Sequence, residues 1–141
     1  MRLFHIRGGG PTIRHYVLLK TKRFTVSVNR LTRDARFEDI YPHDHGSDFF
    51  SVALRGGYTE ELFRDPATNW TTGERIVRRF PSAHKMDYRH AHKADVTHPV
   101  GRQRVAWTLF VTWNYQGTRS RVWTEDGPID SGEYWRRVAQ R

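Results

Sequence analysis

Tyr41-Pro42-His43-Asp44-His45-Gly46-Ser47-Asp48 runs straight into the apolar stretch Phe49–Leu54 and then into Gly56-Gly57. Residues two apart on an extended backbone point to the same side. His43 and His45 can therefore turn both imidazoles toward one metal ion. A glycine pair after a β-run lets the chain double back, so Gly56-Gly57 predicts a hairpin into the next strand. The whole stretch reads as a metal-binding segment leading into a strand pair.

The β-pattern continues on both sides. Phe24, Val26 and Val28 alternate with Thr25, Ser27 and Asn29, and Trp107, Leu109, Val111 and Trp113 alternate with Thr108, Phe110 and Thr112. Strands are predicted over 15–20, 23–31, 48–55, 58–64, 74–80, 105–113 and 119–124. Phe24, Val26, Val28, Phe50, Val52, Leu54, Leu109 and Val111 are the expected interior of two facing sheets. Breakers at Gly8-Gly9-Gly10-Pro11, Asp65-Pro66, Thr72-Gly73, Pro81-Ser82 and Glu125-Asp126-Gly127-Pro128 separate the strands. Residues 32–42 read as a polar loop, and 84–98 as a stretch rich in histidine and charge. Ser131–Arg141 is the one predicted helix, with Ser131 as its N-cap. There is no βαβ alternation, repeat or dividing linker, so residues 1–141 are expected to form one all-β sandwich or barrel.

Composition narrows the chemistry. The 141 residues suffice for a real core. The absence of cysteine excludes disulfides, thiolate metal sites and thiol catalysis. Any metal must be held by His, Asp or Glu, which suits Fe(II), Mn, Ni, Co or Zn. Lys and Arg total 24 against 15 Asp and Glu, a net charge of +9. That surplus favours an anionic partner, whether a small molecule or nucleic acid. The basic residues are scattered and no groove-reading element is visible, which favours the small molecule. No apolar run approaches the roughly 20 residues of a membrane span. Met1–Arg7 lacks a signal-peptide apolar region, so a cytoplasmic protein is expected.

His43-Asp44-His45, Asp48 and the strand ending at Gly56-Gly57 together resemble the first motif of the cupin family. A second anchor is Val96-Thr97-His98-Pro99, ahead of the strand at 105–113, where His98 sits as a second-motif histidine would. Phe80-Pro81-Ser82 resembles the turn that opens that motif. The resemblance covers roughly residues 20–125 and is to small cupin-like proteins of bacteria and their phages. It implies a double-stranded β-helix of jelly-roll type with a short C-terminal helix, a homodimer, and a metal-dependent enzyme, an oxygenase among the candidates. His43, His45 and His98 would be metal ligands. Asp48 would be a fourth ligand or a base, and Tyr58 a further catalytic candidate.

The motif also departs from the family. Cupins usually carry Glu about four residues past the second histidine; here Phe49 takes that place and Asp48 precedes it. Asp48 would face away from His45 unless a bulge at Gly46-Ser47 turned it back. His90-Ala91-His92 is a second His-x-His and an alternative pair. Exposed loop positions are the simplest account of His84, His90 and His92, and surface positions of His5 and His15. Two rival functions follow. One is a metal-free, ligand-binding or epimerase-type cupin in which Asp48 or Asp95 backs His43. The other is a non-enzymatic basic protein that binds nucleic acid or joins an assembly.

Overall fold

The structure, a computed structural model, describes residues 2–8, 13–32, 41–95 and 105–140. Among the described residues, twelve strands and one helix follow in order: β1 Arg2–Gly8, β2 Ile13–Lys20, β3 Phe24–Thr32, β4 His43–Asp44, β5 Asp48–Arg55, β6 Gly57–Phe63, β7 Glu74–Arg79, β8 Ala83–Met86, β9 Ala91–Asp95, β10 Val105–Trp113, β11 Arg121–Thr124, β12 Gly127–Asp130 and α1 Ser131–Ala139. They form two antiparallel six-stranded sheets, ordered β1-β2-β3-β10-β5-β8 and β12-β11-β4-β9-β6-β7. This is the expected all-β jelly roll with a short C-terminal helix. Asp130, not Ser131, caps that helix. Its Oδ1 accepts the N–H groups of Gly132 and Glu133 at 3.0 and 3.1 Å.

Gly56 does not make a hairpin. β5 and β6 lie in different sheets, so the chain at Gly56 crosses from one layer to the other. Gly56 has φ +72°, and a Cβ there would sit 2.2 Å from the Val105 carbonyl oxygen. Only glycine meets both demands.

Both apolar clusters lie between the sheets. One joins Phe49, Leu62 and Met86 with Ile76 and Phe110; the other joins Tyr58 and Ala106 with Leu31 and Ala94. This reverses the expected faces. Phe49 is buried at 1% exposure while Phe50 is 37% exposed. Phe24 and Leu54 are exposed too, whereas Ser27, Asn29, Ser51 and Thr108 are buried. A period of two reveals that a strand has two faces but not which one turns inward. Here the small polar face turns inward, because the interior carries a cluster of histidines.

Much of the described part of the histidine-rich stretch is also strand and not loop. Ala83–Met86 and Ala91–Asp95 are strands, and His92 is buried. His15 is half-buried and points inward, its Nδ1 2.8 Å from Asn29 Oδ1. Ser27 Oγ donates to the same oxygen at 3.1 Å.

Candidate metal centre

The site grows from a strand only two residues long. β4 pairs with β9, setting His43 opposite His92 and Asp44 opposite Ala91. Directly opposed residues share a face, so His43 and His92 lie side by side. His45, two residues on from His43, joins them. The ring centroids are 4.7 Å apart for His43 and His92, 5.1 Å for His45 and His92, and 5.1 Å for His43 and His45. One ring nitrogen from each lies within 4.8 Å of the other two. His45 Nε2 and His92 Nε2 are 3.0 Å apart. Two nitrogens bound at about 2.0–2.1 Å and at right angles round one ion would stand about 2.9 Å apart.

Asp44, between the two histidines, faces the other way and anchors the strand. Its Oδ1 accepts the Arg121 N–H at 2.8 Å. Its Oδ2 accepts Arg121 Nε at 2.9 Å and Trp123 Nε1 at 3.1 Å. The Pro42 carbonyl accepts the Trp123 N–H at 2.9 Å. Alternation thus gives the segment one chemical face and one structural face.

Behind His92 stands Glu60, on β6 and fully buried. Its Oε1 lies 2.6 Å from His92 Nδ1, and its Oε2 accepts Arg78 Nε at 2.7 Å, with the Arg78 terminal nitrogen also 2.7 Å away. A carboxylate at Nδ1 accepts the N–H hydrogen bond, which keeps the proton on Nδ1 and leaves the Nε2 lone pair turned toward the other histidines. His84 Nε2 is 3.4 Å from Glu60 Oε1, a contact without a well-aligned hydrogen bond. Burial works to raise the Glu60 carboxyl, but the His84 and His92 imidazoles outweigh it and hold the group below its ordinary value. It is therefore a carboxylate at neutral pH.

The imidazoles of His43 and His45 are neutral. Burial, then the neighbouring His92, lowers His43 from 6.5 to about 3. Burial, then His43 and His92, lowers His45 well below its ordinary value. Two neutral imidazoles, at His43 and His45, with the His92 ring beside them, fit a borderline divalent ion such as Fe(II) or Zn. Phe49, with its ring 5.0 Å from His45, and Phe110, at 5.8 Å, wall one side of the group.

The sequence-derived residues divide. His43 and His45 meet; His98 lies outside the described residues. Asp48 Oδ1 accepts the Tyr88 N–H at 2.9 Å and its Oδ2 accepts Asn114 Nδ2 at 3.0 Å. These bonds tie the start of β5 to the loops after β8 and β10. Tyr58 is 4% exposed. Burial, then Glu60, raises its hydroxyl above the ordinary value. Glu60 went unread in the sequence. The available signal was the pair Glu60-Glu61 inside Tyr58–Phe63, between Tyr58 and the apolar Leu62-Phe63.

No family model matches the sequence, and no curated protein matches it. Solved structures do match the fold. Iron(II) HppE aligns with a TM-score of 0.60 at 14% identity over 78% of this chain and 56% of its own. This chain thus spans little more than half of HppE. KdgF from Halomonas sp. aligns at 0.55 and 15% identity, over 81% of this chain and 94% of its own. An RmlC-like cupin from Shewanella frigidimarina aligns at 0.57 and 12% identity, over 78% and 83%. With two antiparallel sheets folded as in these structures, the chain has the cupin fold.

Proposed function

We propose that this chain is a metal-dependent cupin enzyme whose single divalent ion, Fe(II) first and Mn, Ni, Co or Zn after it, is held by His43, His45 and His92. The carrying observation is the convergence of three ring nitrogens within 4.8 Å, one of them backed by a buried carboxylate. An ion so held supplies Lewis acidity and, as Fe(II), oxygen activation. The protein supplies the rest. Glu60 fixes the Nδ1 proton of His92, and Arg78 fixes Glu60. Phe49 and Phe110 keep water from one flank. Asp48, with both oxygens engaged by Tyr88 and Asn114, acts as a support and not as a ligand. The iron(II) form of HppE among the fold neighbours supports the choice of metal. The +9 charge supports a small anionic substrate.

The test is metal content of tag-free protein loaded anaerobically with Fe(II), Mn or Zn. One ion per chain is expected. His92→Ala, and His43→Ala with His45→Ala, should each abolish binding with the circular dichroism spectrum unchanged. Full occupancy in either variant would refute the ligand set. Oxygen uptake by the Fe(II) protein across small phosphonates, carboxylates and acidic sugars then tests the activity.

A further inference from the structure

Charge is divided unevenly along the chain. Residues 1–32 hold seven Lys and Arg and no Asp or Glu, which leaves 17 Lys and Arg against 15 Asp and Glu for all the rest. Most of the +9 therefore belongs to β1, β2, β3 and the turn at 21–23, one flank of the first sheet.

A sheet face turned to solvent is ordinarily polar, but the outer face of this sheet is apolar at its centre. Its pairings resolve into rows. Tyr16, Val28, Leu109 and Val52 lie side by side on β2, β3, β10 and β5. One step along, Leu19, Val26, Val111 and Phe50 do the same. Leu18, Phe24, Phe50 and Leu54 stand open to solvent, at 36% to 42% exposure. Helix α1 packs on β11 and β12 of the other sheet, and no described element is layered over these rows.

Cations border that centre on three sides. Arg14, Arg30 and Arg55 form the next row, with Trp107 among them. At the opposite end the exposed Lys20, Lys22 and Arg23 lead into Phe24, which pairs with Trp113. On the β8 edge Lys85 pairs with Phe50, and its ammonium lies 5.5 Å from the Trp113 ring. Among the described residues the one acid in these rows is Asp48, beside Trp113. It is buried, with its two oxygens taken by Tyr88 and Asn114.

A second copy would set one cationic rim against another. Single-stranded nucleic acid needs open aromatic faces, but the central rows are aliphatic. The Trp107 ring already has Tyr16 stacked on it at 5.9 Å and the Arg30 guanidinium at 6.0 Å. An anionic bilayer matches both features. Its acyl boundary receives an aliphatic centre, and its headgroup level receives Trp and Tyr at the rim and attracts Lys and Arg. No described helix is long and apolar enough to cross a membrane, so the contact is with the surface.

We propose that the outer face of the first sheet docks this chain on an anionic lipid bilayer, with the valine and leucine rows against the acyl boundary and the Lys and Arg rim among the headgroups. The docking is independent of the metal centre, which lies between the sheets. The full chain should sediment with vesicles of phosphatidylglycerol and phosphatidylcholine in equal parts and stay in solution with phosphatidylcholine alone. Raising the salt should weaken the binding.

Phe50→Asp puts a carboxylate on an exposed position of the face and should weaken binding at least tenfold. Val77→Asp, exposed on β7 of the other sheet, should not. Arg14→Glu with Arg55→Glu should also weaken binding at least tenfold. Arg64→Glu with Arg89→Glu makes the same change in net charge at exposed positions away from the face and should cost far less. Lipid brominated on its acyl chains should quench tryptophan emission, and Trp107→Phe with Trp113→Phe should remove most of that quenching. No binding to the anionic vesicles, undiminished binding by Phe50→Asp, or equal losses in the two double variants would each overturn the docking. A solution dimer dispersed by Phe50→Asp would give the face to a second copy, and single-stranded DNA released by Phe50→Asp would give it to nucleic acid; either overturns the assignment to lipid.

Discussion

Replacing Glu60 by Gln should damage both stability and metal affinity, by separable amounts. Glu60 is fully buried, and its side chain meets His92 Nδ1 at 2.6 Å and Arg78 twice at 2.7 Å. Arg78 is itself only 13% exposed at the side chain. Gln keeps the shape but strands the guanidinium without a counter-ion. Removing one member of a buried pair costs about 3–5 kcal/mol, a large part of the roughly 5–15 kcal/mol that holds a domain folded. A metal-ligating histidine that loses its carboxylate partner typically loses about 10–100-fold in affinity. Urea unfolding of the metal-free protein reads the first quantity, and calorimetric titration with Zn reads the second. Arg78→Met alone should cost stability with a smaller effect on Zn. Combined with Glu60→Gln it should recover part of the stability and none of the affinity, because the stranded charge is gone while His92 still lacks its partner. Zn affinity within threefold of wild type in Glu60→Gln would refute the role given to Glu60. Strictly additive stabilities would refute the pairing with Arg78.

Asp48→Asn should leave Zn affinity within about threefold while costing about 1–3 kcal/mol, because it weakens bonds to Tyr88 and Asn114 and touches no ligand; a hundredfold loss of affinity would make Asp48 a ligand after all. Metal-free protein should be most stable above pH 6.5 and lose stability as pH falls toward about 3. Folded His43 resists protonation to about 3, so the unfolded chain takes up that proton first. A flat stability profile between those limits would contradict the burial of His43. Gly56→Ala should cost about 2 kcal/mol or more, since the new Cβ would meet Val105 at 2.2 Å with φ at +72°, and an unchanged thermal midpoint would show that the crossover relaxes freely.

The sequence made some features plain and hid others for physical reasons. Alternation in Phe24–Leu31 and Val105–Trp113 marked β3 and β10, and His43-x-His45 marked the centre of the site. The direction of the faces stayed hidden because β5 carries Phe49 and Phe50 side by side, and either could turn inward. β8 and β9 were disguised by His84, His90 and His92, whose polarity reads as loop. His84 and His92 are in fact matched inside by Glu60. Gly56 signalled a sharp change of direction, but whether the chain folds back or crosses between layers depends on partners far along the chain. The capping role of Asp130 one residue before Ser131 lay within the ordinary uncertainty of helix ends.

The polar lining of the interior has a consequence for how this protein can change. Ser27, Asn29, Ser51 and Thr108 occupy positions where a jelly roll optimised for stability alone would place valine or isoleucine. The exchange of a hydroxyl for a methyl in Thr108→Val stands to make the empty protein sturdier, whereas Asn29 is bonded to both Ser27 and His15, and replacing Ser27 or Asn29 would strand a buried polar partner. A selection that rewards only heat resistance should therefore settle on Thr108 before the other three. Variants that gain activity on new molecules should draw on the same four residues and give up stability in exchange.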